Sequence, residues 1–292
     1  MIRGDEIDIL VDLTGHVGGN RLLVFARKPA PVQVTYLGYQ NTTGMTAIDY
    51  RLTDEYCDPS SATEALYSEK LVRLPQTFFC YLPSAEAPTI APLPAQNAGY
   101  VTFGSFNNFT KITAHVLKTW AGILARVDAS RLLLLCDDPE AVREVVAYAL
   151  ESQGVDPRRV ELFARAPLDE YLKRIGQVDI ALDPFPFNGH TTTCDCLWQG
   201  VPVVTLAGQA YVSRFGSSGL ATLGLTELIA HSPDEYIEIA VGLAGNLDRL
   251  AQLRASLRAR LVGSPLMDYK GFTRNLEAAY RRMWDVWLDR QD

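Results

Sequence analysis

At 292 residues, with 48% hydrophobic content and a formal net charge of −7, the chain is long enough for one large or two ordinary domains and has no basic excess to bind nucleic acid. No apolar run reaches the ~20 residues of a membrane span, and Met1–Glu6 holds no signal-peptide core, so a soluble cytoplasmic protein without membrane or nucleic-acid partners is expected. Cys57, Cys80, Cys136, Cys194 and Cys196 form no Cys-x-x-Cys pair and read as reduced core thiols; Cys194-Asp-Cys196 lacks the further partners that a metal site needs.

Glu6–Leu13 is a strand-like apolar run, followed by the glycine-rich turn Thr14–Asn20 and the helix-like Arg21–Arg27, an order that resembles one unit of a nucleotide-binding α/β sheet. Pro29 and Pro31 end that helix, and Val32–Tyr36 is the next strand. The polar loop Leu37–Gly44 follows at the strand's C-terminal edge, where open α/β sheets place ligands. Strands Tyr50–Thr53 and Lys70–Leu74 complete a first lobe over residues 1–82. Prolines at 83, 88, 92 and 94 mark 83–96 as a linker.

The second lobe, 97–292, opens with the strand Tyr100–Phe106, ending in Asn107–Lys111, and a helix over 114–127 capped by Thr113. Then alternate a strand at 131–136, a helix at 139–153 stopped by Gly154, a strand at 160–163, a short helix at 169–175, a strand at 178–182, a helix from Thr191, and a strand at 202–206 with its Ala207-Gly208 turn. Apolar strands alternating with helices imply a parallel sheet covered on both faces. Amphipathic helices over 233–245, 247–262 and 271–288 close this lobe.

The run Phe185–Asp195 (Phe-Pro-Phe-Asn-Gly-His-Thr-Thr-Thr-Cys-Asp) sits where a strand hands over to a helix. The first amides of a helix lack internal partners and carry the positive end of its dipole, so a phosphate is at home there. Gly189 lets the backbone come close, His190 and the threonines add donors, and Asp195, one turn further in, can accept ribose hydroxyls. The plainer reading is an N-cap cluster followed by ordinary helix. Asn107, Asn108, Lys111, Ala166–Tyr171 and Gly208 also fall at strand ends or helix starts, which converge on one edge of a parallel sheet. Lys111 either neutralises a diphosphate or is a solvated loop lysine; Tyr171 either lies against a nucleobase or is a core aromatic. His115 and His231 read as structural, and His16 is open between a structural and a functional role.

Taken together, Asp12-Leu-Thr-Gly-His16, Arg27–Gln33, Leu37-Gly-Tyr39, Asn41–Gly44, Asp49-Tyr50, Gly104–Asn108 with Lys111, Asn188–Thr193 and Gly200–Thr205 resemble the C-terminal catalytic region of the protein O-GlcNAc transferase and SPINDLY family, glycosyltransferase family 41, over nearly the whole chain. The resemblance implies a GT-B-like α/β fold of two Rossmann-like lobes with parallel sheets, the N-terminal lobe truncated. It implies an inverting, metal-independent transfer of GlcNAc from UDP-GlcNAc to Ser/Thr hydroxyls, without a cofactor. Protein acceptors would be recruited by helical repeats upstream of this chain. By motif position Lys111 and Asn108 would contact the diphosphate, Thr191 and Thr192 would hold it, and Asp195 would bind ribose. Ala166, Tyr171 and Arg174 would frame the base, Leu37 and Gly38 would approach the sugar, and His190 would sit beside sugar and phosphate. In the family the first lobe begins well before Met1 and contributes a histidine near the reacting centre; a truncated remnant that binds nucleotide without turnover is therefore one alternative. Phe187 stands where some relatives that use UDP-GlcNAc have a smaller residue, and Asp12–Lys111 is closest to SPINDLY, whose plant members use GDP-fucose. That donor is the other alternative, but His190 and Asp195 match the O-GlcNAc transferase pattern and favour UDP-GlcNAc.

Overall fold

The computed structural model describes residues 1–39, 41–60 and 62–291, so Gln40 of the loop Leu37–Gly44 lies outside the described residues. One unit comprises Met1–Cys80, Ala210–Val212 and Pro265–Asp292, and a second comprises Tyr81–Gln209 and Ser213–Ser264.

The first unit is built on β1 (Ile9–Asp12), the single helical turn α1 (Leu22–Phe25), β2 (Val32–Thr35), β3 (Tyr50–Thr53) and β4 (Lys70–Arg73). The strands are parallel and lie in sequence order. Side chains alternate across a strand, so Ile9, Val11, Val32, Val34, Tyr50, Leu52 and Val72 share one face, and Leu10 turns to the other, where Leu22, Phe25 and Ile48 cover it. The first face is covered by the C-terminal helix Tyr269–Leu288, whose Leu276, Ala279, Tyr280, Met283, Trp284 and Trp287 recur at helical spacing. Full burial of each aliphatic side chain here contributes about 1.5–3 kcal/mol. The last helix thus packs on the first sheet, not on the lobe 97–292 to which its position in the chain had assigned it. Amphipathic spacing specifies that one face is buried, not which sheet buries it.

The second unit contains, in chain order, α2 (Ala95–Ala98), β5 (Val101–Ser105), α3 (Ala114–Arg126), β6 (Ser130–Leu135), α4 (Pro139–Glu151), β7 (Val160–Phe163), α5 (Leu168–Gly176), β8 (Ile180–Leu182), α6 (Thr191–Trp198), β9 (Val203–Leu206), α7 (Phe215–Thr222), β10 (Ile229–Ala230), α8 (Pro233–Ala244) and α9 (Leu247–Val262). Its parallel strands are ordered β10-β9-β8-β5-β6-β7. The chain winds outward from β5 to β7 and then returns to the other side of β5 at β8. Loops after β5 and β8 therefore diverge and leave a crevice at the C-terminal ends of those strands, the position where doubly wound sheets bind ligands.

Residues 83–96 are packed into this second unit instead of linking two lobes freely. The buried Arg254 donates to the carbonyls of Ala91 (2.8 Å) and Val178 (2.9 Å), and Arg258 donates to Pro88 O at 2.8 Å. The buried Asp179 accepts from Ala95 N at 2.9 Å and Thr102 N at 2.8 Å. Among the described residues no helix is long and apolar enough to cross a membrane.

Candidate active site

The loop from β8 to α6 is built around Asp183. Buried directly after the strand, it accepts from Gly189 N at 2.6 Å and Thr205 Oγ1 at 2.7 Å, folding the segment back over the sheet. Asn188 Nδ2 donates to Pro184 O at 3.0 Å. A Cβ on Gly189 would lie 2.7 Å from Thr193 Oγ1, 2.9 Å from Asn107 Oδ1 and 3.0 Å from Asp183 Oδ1, so only glycine fits where β5, β8 and α6 meet. His190 occupies the N-cap position of α6 without a side-chain cap bond, its ring 5.1 Å from that of Phe215. Thr191 is exposed and Thr192 half-buried at the helix mouth.

Beside this mouth lies a cavity of about 470 Å³. Its wall brings together seven of the residues singled out from the sequence, Asn107, Asn108, Lys111, Ala166, Leu168, Tyr171 and Thr192, with Phe106, Leu135 and Arg165. Asn108 Oδ1 caps the turn Phe109–Lys111 by accepting from Thr110 N and Thr110 Oγ1, both at 3.0 Å, which leaves its amide NH₂ as the end able to donate to a ligand. Lys111 Nζ donates to Asn188 O at 2.9 Å and stands 4.2 Å from the centre of the Phe187 ring. Burial pulls the lysine below its usual range, opposed by the charge of Asp183. A cation held where desolvation works against it, beside the mouth of a helix, is chemically able to receive an anion. Tyr171, edge-on to Phe106 with ring centres 6.0 Å apart, forms the cavity's aromatic side.

The other predicted residues lie outside that wall. Asp195 sits one turn into α6 and accepts from Tyr81 OH at 2.8 Å and Tyr171 OH at 3.4 Å. Arg174 stacks 4.9 Å over Phe163 and donates to Glu170 at 3.2 Å, and it is not among the residues of that wall. Leu37 and Gly38 belong to the first unit, at the end of β2, where Gly38 is pressed against the loop after β1. There His16 Nε2 donates to Thr43 O at 2.8 Å and its ring meets Tyr39, fastening the two loops together. Phe106, Leu135 and Asp183 stand at or just after the ends of apolar strands, a rule that could have singled them out. Tyr81, 114 residues from Asp195, had no such signal. A larger hollow of about 740 Å³ in the first unit, along Glu6–Ile9 and the C-terminal helix, holds none of the predicted residues.

The sequence profile of glycosyl transferase family 41 matches residues 1–82 and 92–276. The chain belongs to that family. Among its relatives, the probable UDP-N-acetylglucosamine–peptide N-acetylglucosaminyltransferase SPINDLY of Petunia hybrida is 47% identical over 99% of this chain and 31% of its own length. The similarly named SEC of Arabidopsis thaliana is 36% identical over 98% of this chain and 30% of its own. The chain thus spans about a third of the length of the curated relatives it matches. Among solved structures, a mutant O-GlcNAc transferase of Thermobaculum terrenum has a TM-score of 0.92 at 43% identity, covering 100% of this chain and 55% of that one. Sucrose-phosphate synthase from Thermosynechococcus elongatus, with a TM-score of 0.66 at 12% identity over 95% of this chain and 74% of that one, shares the fold alone. The two parallel sheets of this family-41 chain are accordingly GT-B-like.

Two groups of the family-41 loop titrate in opposite senses. Burial pushes Asp183 up to about 7, against its bonds to Thr205 and Gly189, and pushes His190 down to about 4, aided by Lys111. The raised carboxyl favours the fold while protonated: its contribution is complete below pH ~4 and is lost as pH rises towards 7. The lowered imidazole favours the fold while neutral: its contribution is complete above pH ~6.5 and is lost as pH falls towards 4. The slopes oppose one another. His190→Gln is therefore expected to make stability in urea fall more steeply between about pH 4.5 and 6.5 than in the unsubstituted chain, and Asp183→Asn to tilt it upward. Unchanged profiles in both variants would contradict these shifts.

Proposed function

We propose that this chain transfers N-acetylglucosamine from UDP-N-acetylglucosamine to serine or threonine hydroxyls of proteins, inverting the anomeric carbon and using no metal ion. The observation that carries the reading is the convergence of Lys111, Asn108, Thr192, Ala166 and Tyr171 on one cavity beside the mouth of α6. Membership of family 41 and the names of the relatives support the chemistry. The diphosphate would lie at the mouth of α6, with Lys111, Asn108 and the hydroxyls of Thr191 and Thr192 facing it. As the acceptor oxygen bonds to the anomeric carbon and the sugar–phosphate bond breaks, charge accumulates on the departing diphosphate. Lys111 and the helix amides would stabilise it. His190, neutral at physiological pH, would act as a hydrogen-bond partner to sugar or phosphate, not as a charged acid.

GDP-fucose is the second reading, favoured by the bulk of Phe187 beside Lys111. Thermal unfolding with each nucleotide separates the two: a ligand at 100 times its Kd stabilises the folded state by about 2.7 kcal/mol. UDP is expected to raise the melting temperature and GDP to leave it unchanged, and mass spectrometry of an acceptor peptide should show GlcNAc added from UDP-GlcNAc. Stabilisation by GDP alone would establish the second reading. Binding without transfer would make the chain a nucleotide-binding remnant, and stabilisation by neither would remove both donors.

A further inference from the structure

Asp195 is a half-buried carboxylate, and among the described residues no lysine, arginine or histidine forms an ion pair with it. Its partners are two phenols from distant parts of the chain. Tyr171 reaches one oxygen at 3.4 Å from the cavity wall, and Tyr81 reaches the other at 2.8 Å from a buried position. The surroundings of Tyr81 are fixed in turn: the neighbouring Arg258 donates to Trp198 O at 2.9 Å and Pro88 O at 2.8 Å and stacks 4.7 Å over the Trp198 ring. Burial and the charge of Asp195 hold the Tyr81 phenol far above its usual range, so it remains a donor.

We propose that Tyr81 is a positioning residue that fixes the Asp195 carboxylate in the orientation that receives the two ribose hydroxyls of the donor nucleotide. The inference rests on the nucleotide-sugar reading and adds a specific contact to it. A carboxylate offers about four acceptor positions, and each tyrosine uses one. One position is left on each oxygen, matching the spacing of a vicinal diol. Tyr171 lines the cavity, where an entering base would meet it. Tyr81 is removed from the cavity and can set the orientation before the ligand arrives. Such preorganisation appears as affinity for the hydroxyls and leaves the rest of the nucleotide untouched.

The test is a calorimetric comparison of UDP and GDP with their 2′,3′-dideoxy forms, in the unsubstituted chain and in Tyr81→Phe, which removes one oxygen. The unsubstituted chain is expected to bind the complete nucleotide at least about tenfold more tightly than its dideoxy form. In Tyr81→Phe the complete nucleotide weakens about five- to tenfold while the dideoxy form changes less than about twofold, so that discrimination collapses. Equal weakening of both forms would show a merely structural tyrosine and overturn the inference with the donor reading intact, as would no change in either. Binding of neither nucleotide by the unsubstituted chain would overturn both. A crystal structure of the nucleotide complex decides the same question without a variant. Ribose hydroxyls on Asp195 with the Tyr81 bond retained support the assignment; ribose held elsewhere, or Tyr81 turned away, refutes it.

Discussion

Lys111→Ala is expected to lower kcat for glycosyl transfer by about a hundred- to a thousandfold, the usual loss when one preorganised partner of a developing anion is removed. The lysine bonds a single carbonyl, Asn188 O, and no carboxylate lies within bonding distance of it among the described residues. Burial already works against its charge. Removing it relieves a desolvated cation and breaks no ion pair, while the buried Asp183 that loses the nearby charge can stay protonated, so the melting temperature should move by no more than a few degrees, on the order of 1 kcal/mol. Steady-state kinetics on an acceptor peptide, with thermal unfolding as control, check both halves. Unchanged turnover would take Lys111 out of the mechanism, whereas loss of the fold would make it a structural residue.

The largest effect on stability is expected at Gly38. A Cβ there would lie 1.8 Å from Leu13 O, 2.8 Å from Leu13 C and 3.2 Å from Thr14 Cα, all backbone atoms that no rotamer change can move aside. The facing loop cannot yield either: Asp12 holds it by accepting from Gly15 N at 2.8 Å and Thr14 N at 3.2 Å, and is itself tied to β2 by Thr35 Oγ1 at 3.0 Å. Leu37, just before, already sits at φ +64°. Gly38→Ala should therefore destabilise the first unit by at least about 3 kcal/mol in urea unfolding. Gly44, at φ +70° with nothing within 4 Å of an added Cβ, supplies the comparison. Gly44→Ala should cost only about 1 kcal/mol. Equal, small effects at both glycines would mean that the two loops are not locked together.

These residues also show what could be read before the fold was known. Strands Tyr50–Thr53 and Val160–Phe163 are found at the expected residues because each is a short run of strand-favouring residues with a polar one between apolar ones and clear boundaries. Helix α7, Phe215–Thr222, was not expected: Phe-Gly-Ser-Ser-Gly-Leu-Ala-Thr carries two glycines and two serines, poor helix formers, and it is tertiary packing that holds it. Gly216 faces Asp183 and Thr205 so closely that a Cβ would lie 2.3 Å from Thr205 Oγ1. The proline-rich segment looked like a linker because composition reports chain stiffness, whereas its docking comes from Arg254 and Arg258, more than 160 residues away. The cavity wall was legible wherever residues end a parallel strand or start a helix. Arg174 was not, because helical spacing alone does not tell whether an arginine near the end of α5 turns towards the cavity or back to Glu170.

The central claim is that an activated sugar's diphosphate lies between Lys111 and the mouth of α6. A crystal of this chain soaked with UDP tests it most directly. The expected result is the diphosphate within hydrogen-bonding distance of Lys111 Nζ and the first amides of α6, with the base against Tyr171. A nucleotide bound elsewhere, with the Lys111–Asn188 contact intact and the cavity still empty, would contradict it.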